Sequence, residues 1–150
     1  MSARGTTVAL GADHAGWELK RELRDWLEEQ GYAVLDCGTD SDQSVDYPDF
    51  ARRVTDAVVD GGAERGVLVC GTGAGMAMSA NRVAGVRAVN CIDGYTARMA
   101  RAHNDANVLA LGARVVGAGL ALELLQIFLT EPFEGGRHAR RVAGIERGAD

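Results

Sequence analysis

Residues 66–75 read GVLVCGTGAG, and this stretch contains the transition that decides the fold. Residues 66–70 form a continuous apolar run, which is typical of a parallel strand buried on both faces of a sheet. The run passes directly into glycines at positions 71, 73 and 75, and a helix-prone stretch follows through Arg82. A buried strand that leads through a tight turn into a helix is the repeating unit of an α/β domain.

The same alternation extends in both directions along the chain. Further strands are predicted from short β-prone apolar runs at residues 6–11, 33–37, 86–91 and 108–111. Helices are predicted from apolar residues at helical spacing at residues 19–27, 50–58, 95–102, 120–129 and 137–147. We therefore expect an α/β fold, a three-layer αβα sandwich that is Rossmann-like, with a mostly parallel five-stranded sheet.

Composition excludes several other classes of protein. The chain has 150 residues, the usual length of one domain, and we assign residues 1–150 to a single domain. Its 47% hydrophobic and 25% charged residues are typical of a globular protein and not of a disordered chain. The net charge of −5 opposes an extended nucleic-acid interface, so no nucleic-acid partner is predicted.

Targeting and redox signals favour the cytoplasm. Residues 1–5 read MSARG, which does not resemble the start of a secretory signal. The longest nearly apolar run, residues 111–129, is interrupted by two charged residues and three glycines, so no membrane span is predicted. Three cysteines at wide spacing, Cys37, Cys70 and Cys91, do not form a disulfide framework, which indicates a reducing compartment.

Residues 120–129 predict a helix with apolar side chains on almost every side. A helix of this kind is buried, and in a domain this small a partner subunit is the favoured cover. The alternative is that the final helix, residues 137–147, covers it within one chain.

Polar side chains collect where the predicted strands end. In open α/β sheets, ligands bind beyond the carboxyl ends of the strands. The residues that follow strands one to five are Asp13 and His14, Asp46 and Tyr47, Cys70 and Thr72, Asp93, and Arg114. Loops are polar in any protein, but general polarity does not explain a cysteine at the end of strand three. We expect the functional site at this edge of the sheet.

The glycine loop after Cys70 predicts a site for negative charge. Alternate glycines let the backbone approach a ligand closely and turn several N–H groups inward. Such a loop stabilises a phosphate or a developing oxyanion. No lysine follows Gly75, so the loop is not a Walker P-loop, and Met76 stands where a dinucleotide fingerprint requires its third glycine.

Two interpretations of Cys70 are possible, and the sequence favours neither of them over the other. A helix N-terminus favours the thiolate form, and a thiolate serves as a nucleophile or a general base. A free cysteine is, however, more commonly a small buried apolar residue. We interpret Cys37 and Cys91 as structural.

The histidines and the basic tail supply further candidates. His14 lies at the start of the first helix, and His103 lies in a polar cluster where it could instead cap a helix. No set of His, Asp and Glu has metal-ligand spacing, so no metal is predicted. Arg137 and Arg141 are four residues apart, share a helix face and suit a phosphate group. A solvated surface helix and a nucleic-acid patch are the alternatives for this tail.

Six motifs in order along the chain resemble the ribose-5-phosphate isomerase B family, which includes galactose-6-phosphate isomerase subunits. They cover nearly the whole sequence, from strand one to the last helix. The motifs are GADHAG (residues 11–16), DYP (46–48), CGTGAG (70–75), HNDANVL (103–109), GARVVG (112–117) and GGRH (135–138).

The resemblance implies a cofactor-free interconversion of an aldose phosphate and a ketose phosphate. Cys70 would be the base that moves a proton between C1 and C2; one branch of the family uses a glutamate in the glycine-loop region, where this chain has Gly75 and Met76. His103 would assist ring opening, with Asp13 close by. The other implied site residues, which bind the substrate, its enediolate oxygens or its phosphate, are Thr72 (also a catalytic candidate), His14, Tyr47, Gly71, Gly73, Ala74, Gly75, Asn104, Arg114, Arg137 and Arg141.

The family forms dimers, often paired into tetramers, with sites at the dimer interface, so the last helix is expected at a subunit contact. His103 precedes strand five and should lie near the amino ends of the strands, whereas Cys70 lies at a carboxyl end. We therefore expect His103 and Asn104 to serve the site of a neighbouring subunit.

Three alternatives to a ribose 5-phosphate isomerase stay open. The same chemistry could act on another four- to six-carbon aldose phosphate, and residues 41–46 and 92–95 could set that choice. The glycine loop could belong to a non-catalytic module that binds a sugar phosphate or nucleotide. A thiol-dependent hydrolase or transferase is the third alternative.

Overall fold

The computed structural model describes residues 5–148, so residues 1–4 of the MSARG start lie outside it. Five strands alternate with helices, and α6 follows α5 without a further strand. The strands are β1 (Thr7–Ala12), β2 (Ala33–Asp36), β3 (Arg65–Cys70), β4 (Ala88–Asn90) and β5 (Val108–Gly112). The helices are α1 (Trp17–Glu29), α2 (Tyr47–Val59), α3 (Ala74–Ala80), α4 (Gly94–Ala102), α5 (Ala118–Thr130) and α6 (Arg137–Arg147).

The five strands form one sheet in the order β2-β1-β3-β5-β4, and every neighbouring pair is parallel. Because side chains alternate along a strand, β3 sends Val67 and Val69 to one face and Leu68 and Cys70 to the other. Helices α1, α4 and α5 cover the first face, and α2 and α3 cover the second. The predicted three-layer α/β fold is confirmed.

The prediction for the fourth strand, residues 86–91, is too long. The structure shortens it to Ala88–Asn90 because the backbone of Arg87 is held by Asn107, whose Oδ1 accepts the Arg87 N–H at 2.8 Å. Helix α3 likewise ends before Arg82, since the Asn81 side chain bonds both the N–H and the carbonyl of Ala88. Side-chain amides therefore set the start of β4 and the end of α3, and the spacing of apolar residues does not predict either boundary.

The apolar helix α5 packs its inner side chains against α1, α4 and the sheet, while Leu120 on its outer side is 36% exposed. The final helix does not cover it, which corrects that alternative. The chain between them returns past the end of α4, where the Glu134 N–H donates to the Ala102 carbonyl at 2.9 Å. Helix α6 then lies against the residues that lead into β4, through Glu146 and its contacts with Gly85 and Arg87.

Lys20, the one lysine in the sequence, is buried where α1 meets the end of β2. Its ammonium lies 2.6 Å from Asp36 and 3.2 Å from Asp40, so both acids are held under the first helix. Burial opposes the charged form of Asp36, but the bonds from Lys20 and the Gly38 amide outweigh it and lower the pKa of Asp36. Among residues 5–148, no helix combines the length and apolar character that a bilayer span requires.

Candidate active site

The turn after β3 is built on a glycine that no other residue replaces without strain. Gly73 precedes α3 with φ of +88°, in the left-handed region that side chains disfavour. A Cβ at Gly73 would also lie 2.4 Å from Asn90 Oδ1 and 3.0 Å from the backbone of Leu111. The turn can therefore fold back tightly over the end of β3 only because residue 73 has no side chain.

The Cys70 thiol lies under this turn. Its Sγ accepts a hydrogen bond from the Gly73 N–H at 3.2 Å, and the residue is 5% exposed. The rest of the side chain packs among apolar residues of the face that α2 and α3 cover. Both sequence interpretations thus describe part of the site: the sulfur is in an apolar layer, and a loop amide points at it.

Thr72 and Asn90 hold the turn from its two sides. The Thr72 hydroxyl accepts the Ala74 N–H at 3.2 Å, and the Thr72 carbonyl accepts the Asn90 side-chain amide at 3.2 Å. Asn90 Oδ1 is buried without a hydrogen-bond partner among the residues described. Asn90 was not predicted as a site residue, because nothing in the spacing shows that the end of β4 lies beside the glycine turn.

Two predicted residues flank the glycine loop. The Arg114 N–H donates to the Gly71 carbonyl at 3.0 Å, and its guanidinium Nη1 would lie 3.4 Å from a Cβ at Gly71. On another side, a Cβ at Gly75 would lie 2.6 Å from the Tyr47 ring. Arg114 and Tyr47 are thus brought against the loop; Arg114 follows β5, which pairs with β3, whereas Tyr47 begins α2.

Asp13 and His14 follow β1 at the same edge of the sheet. The Asp13 N–H donates to the Val69 carbonyl at 3.1 Å, and its Oδ1 accepts the N–H groups of Ala15 and Gly16. His14 Nδ1 accepts the Val45 N–H at 3.1 Å, so a neutral imidazole carries its proton on Nε2. Asp13 is 6% exposed and bonded to its own turn, which gives it a structural role as well.

A cavity of about 460 Å³ opens beside Arg114 and His14. It lies between the start of α1 and the loop that links β5 to α5. The other residues that line it are Ala15, Trp17, Glu18, Leu19, Glu22, Asp42, Ala113, Val116, Gly117 and Ala118. The cavity places one guanidinium and one imidazole at the carboxyl edge of the sheet, next to the glycine loop.

The remaining candidates lie at the opposite edge of the sheet. His103 is the C-cap of α4, and its N–H donates to the Met99 carbonyl at 2.9 Å; this cap is made by the backbone and does not involve the imidazole. Asn104 lines a separate cavity of about 450 Å³ together with Arg87 and Ile145. Arg137 and Arg141 lie exposed on α6. Within one chain these four residues are not brought to Cys70.

A cluster of three side chains at that edge was not predicted. The rings of His103 and His138 stack at 4.1 Å between centroids, and the Nε2 atoms of the two rings lie 3.7 and 3.5 Å from Glu134 Oε1. Partial desolvation and the neighbouring His103 lower the pKa of His138. No metal-ligand spacing was predicted from the sequence, whereas the fold gathers the donor atoms of these three residues within 4.8 Å of one another. The spacing of Glu134 and His138 was the available signal, and it was obscured by the intervening glycines.

The other two cysteines differ from Cys70. Cys91 is fully buried, and desolvation raises the pKa of its thiol to about 11. Burial, followed by the negative charge of Asp36, also raises the pKa of Cys37. Neither thiol is poised to ionise near neutral pH, which agrees with their structural interpretation.

Comparisons with known proteins identify the family. Residues 8–145 match the family described as Ribose/Galactose Isomerase. The ribose-5-phosphate isomerase B of Escherichia coli strain K12 is 47% identical over 138 residues, which are 92% of this chain and 93% of that protein. A D-erythrulose-4-phosphate isomerase of Pectobacterium atrosepticum is 44% identical over 140 residues, 93% of this chain and 92% of that protein.

Solved structures agree with the sequence comparisons. The ribose-5-phosphate isomerase B of Clostridium thermocellum superposes with a TM-score of 0.94 at 51% identity, covering 95% of this chain and 96% of that chain. The chain belongs to the ribose/galactose isomerase family, and these relatives are named as sugar-phosphate isomerases.

Proposed function

We propose that the protein is a cofactor-independent aldose–ketose isomerase that interconverts ribose 5-phosphate and ribulose 5-phosphate. The observation that carries this proposal is the Cys70 sulfur under the glycine turn, with the Gly73 N–H bonded to it at 3.2 Å. An amide pointed at the sulfur stabilises the thiolate, which is the form that can accept a proton.

The reaction begins on the open-chain sugar, once His103 and Asp13 have assisted ring opening. The Cys70 thiolate takes the proton from C2, and the C–H electron pair forms the double bond between C1 and C2. The carbonyl oxygen at C1 becomes an oxyanion, a proton passes from O2 to O1, and the thiol returns its proton to C1. The product is the ketose phosphate, and every proton is accounted for.

The enediolate requires fixed donors at the place where its charge develops. The Gly73 and Ala74 N–H groups are already bonded within the turn, so the proposed donors are the amides of Gly71, Thr72 and Gly75 and the side chain of Asn104. Each such donor is worth about 2.7–4 kcal/mol in the transition state. The Thr72 hydroxyl accepts the Ala74 N–H, which leaves its own proton free for a substrate oxygen. This bond supports Thr72 as a member of the catalytic set.

The phosphate end of the substrate requires cations at a fixed distance from Cys70. We assign this role to Arg114 and His14, which line the cavity of about 460 Å³, and to Arg137 and Arg141 of α6. One guanidinium group can bind two phosphate oxygens at once. The binding energy of the phosphate, which lies away from the reacting carbons, holds C1 and C2 against the base. Tyr47, against Gly75, would border the sugar.

The site is proposed to be shared between two subunits of a homodimer, which could pair further into a tetramer. Cys70 pairs in register with Gly112 at the far end of β5, whereas His103 precedes Val108 at its near end. Strands rise about 3.3 Å per residue, so the length of β5 alone separates the two ends by roughly 13 Å. General acids and bases act at hydrogen-bond distance, so a second copy must supply His103.

Helix α6 supports this arrangement, because His138 is its buried side chain while Ile145 is 50% exposed. A neighbouring subunit would cover that apolar side chain and receive Arg137 and Arg141. The thiol chemistry suits a reducing compartment, and we assign the protein to the cytoplasm.

A four-carbon aldose phosphate is the second candidate substrate. The Pectobacterium atrosepticum relative is named for D-erythrulose 4-phosphate, a four-carbon ketose phosphate that an aldose–ketose isomerase would form from the matching aldose phosphate, and its identity of 44% is close to the 47% of the Escherichia coli relative. The reaction at C1 and C2 would be unchanged, and the phosphate would lie one carbon closer to the base.

The deciding experiment measures isomerisation of aldose phosphates with four, five and six carbons by the wild type and Cys70→Ala. We expect the largest kcat/KM with ribose 5-phosphate, exchange of the C2 proton in deuterated water, and loss of both in the variant. Tight binding without proton exchange would instead identify a non-catalytic binding module. A covalent adduct trapped on Cys70 would identify a thiol-dependent hydrolase or transferase.

A further inference from the structure

The His103–Glu134–His138 cluster has a composition and geometry that the proposed reaction does not require. Two imidazole nitrogens face the same carboxylate oxygen, at 3.7 Å from His103 and 3.5 Å from His138. These distances are too long for hydrogen bonds, which lie near 2.9 Å. The three donor atoms all lie within 4.8 Å of one another.

The backbone holds the cluster in place from both sides. His103 is fixed as the C-cap of α4, and the Glu134 N–H is bonded to Ala102, one residue before it. His138 lies in the first turn of α6 and is 7% exposed. Its Nε2 is buried and has no hydrogen-bond partner among residues 5–148. A buried nitrogen without a partner is costly, which indicates that a group outside the chain satisfies it.

The spacing of the donors is close to that of a tetrahedral zinc site. Zinc binds imidazole nitrogen and carboxylate oxygen at about 2.0–2.2 Å, so neighbouring ligands in a tetrahedron lie about 3.3–3.5 Å apart. The His138 distance of 3.5 Å lies at the upper end of this range, and the His103 distance of 3.7 Å exceeds it slightly. The nearly parallel rings, at 10° to each other, must turn about their Cβ–Cγ bonds for both lone pairs to converge.

We propose that His103, Glu134 and His138 bind a zinc ion, with the fourth position open to water. Two imidazoles and one carboxylate form a ligand set that zinc takes in proteins, whereas magnesium and calcium prefer oxygen ligands throughout. Arg137 and Arg141 add positive charge near His138, which weakens the site and favours reversible binding.

Zinc at this site would inhibit the isomerase, and this consequence rests on the proposed function. A metal on His103 Nε2 removes the lone pair and the proton that ring opening uses. The bound ion would therefore stop the first step of the reaction while Cys70 and the glycine loop stay unchanged.

Zinc binding is tested without reference to activity. Equilibrium competition with a chromophoric chelator measures the affinity and stoichiometry for zinc, and the visible absorption of bound cobalt reports the ligand geometry. We expect one zinc ion per chain and a tetrahedral cobalt spectrum. In Glu134→Gln and in His138→Gln, the affinity should fall by more than about 100-fold, beyond the roughly 10–100-fold cost of losing a group outside the coordination sphere.

Two control variants separate this site from others. Glu131→Gln changes a nearby acid that faces Arg98, and it should bind zinc as the wild type does. Cys70→Ala should also keep its zinc, since the thiol is not a ligand in the proposed site. Glu134 is a solvent-facing side chain, so Glu134→Gln should fold, and circular dichroism verifies that it does.

Three outcomes would overturn the zinc site: no stoichiometric zinc on the wild type, wild-type affinity in Glu134→Gln, or loss of zinc in Cys70→Ala.

A separate experiment adds zinc to isomerisation assays of the wild type and Glu134→Gln, and zinc should inhibit only the wild type. Zinc bound at the cluster without inhibition would refute the role of His103 in ring opening. An inactive protein would refute the proposed function, and the binding measurements would still decide the zinc site.

Discussion

Cys70 lies where the apolar layer under α2 and α3 meets the main-chain amides of the glycine turn. The sulfur is shielded from water by the apolar neighbours and accepts a hydrogen bond from the Gly73 N–H. The position explains why a residue that is 5% exposed can be both a packing element and a proposed base.

Replacing Cys70 by alanine should lower kcat by at least about 100-fold, because a positioned general base contributes about 10²–10⁴ in rate. KM should change little, since the arginines that hold the phosphate remain. Steady-state kinetics measure both constants. The matched control is Cys91→Ala, which removes a buried thiol whose pKa is raised to about 11 and should keep wild-type kcat. Equal losses of kcat in the two variants would refute the assignment.

Gly73→Ala should lower both stability and kcat. A non-glycine residue in the left-handed region costs about 1–2 kcal/mol, and the contact with Asn90 Oδ1 adds to this. Urea unfolding measures the loss in free energy of unfolding, and steady-state kinetics measure the loss in kcat that a distorted turn should cause. Measured against Asn90→Ala alone, Gly73→Ala should cost less than it does in the wild type, because the contact with Asn90 Oδ1 is absent, while the conformational cost and the contact with the Leu111 backbone remain. The control is Gly119→Ala, whose new Cβ meets nothing within 4 Å, and it should not be destabilised.

The site residues that could be predicted from the sequence are those whose residue type and adjacent residues in the chain indicate a functional turn. Cys70 and the glycines beside it stand at the end of a buried strand, so their placement followed from periodicity. Asn90 bonds Thr72, and His138 stacks on His103, so both act through residues distant in sequence; only the spacing of Glu134 and His138 is local. No local pattern encodes a contact of that kind.

At the scale of elements, the buried interior strands were predicted closely. Strand β5 is buried throughout and β3 is buried from Gly66 onward, so their bounds follow from continuous apolar runs. Strand β4 lies at the edge of the sheet, and at its start the Arg87 and Ala88 N–H groups are bonded by the side-chain amides of Asn107 and Asn81.

Lys20 stabilises the junction of α1 with β2, and Lys20→Met should destabilise it. The loss should be smaller than the about 3–5 kcal/mol seen when one partner of a fully buried pair is removed, because Asp36 and Asp40 keep contact with water. Urea unfolding at pH 7 measures this loss. The exposed cation Arg21 on the same helix is the control, and Arg21→Met should stay within about 0.5 kcal/mol of the wild type.

Lowering the pH should reduce the difference in free energy of unfolding between the wild type and Lys20→Met. The folded-state pKa of Asp36 lies below its ordinary value of 3.8. The stabilisation that it provides is therefore fully present above pH 3.8 and is lost as the pH falls through the folded-state pKa. Unfolding measured at several pH values from 7 downward should show the two stabilities converging below that value. A constant gap across the series would contradict the role of the ion pair.

At the scale of the whole molecule, the predicted site is divided between two edges of the sheet. The carboxyl edge holds Cys70, the glycine loop and Arg114, and the amino edge holds His103 and α6. Parallel strands make this division unavoidable, since residues before a strand and residues after its neighbour emerge at opposite ends. The fold class followed from the sequence, whereas the meeting of the two edges requires a second copy.

Mixing two inactive proteins tests whether the edges meet in a dimer. Cys70→Ala and His103→Ala each lack one half of the proposed site. In a heterodimer with shared sites, one site has lost both residues and the other has both intact. Random exchange of equal amounts should therefore restore about one quarter of wild-type activity, since half of the dimers are mixed and half of their sites are intact. Activity is measured alongside mass spectrometry that counts heterodimers. Heterodimers that form and stay inactive would mean that each site is built from a single chain, and His103 would then have no part in the chemistry at Cys70.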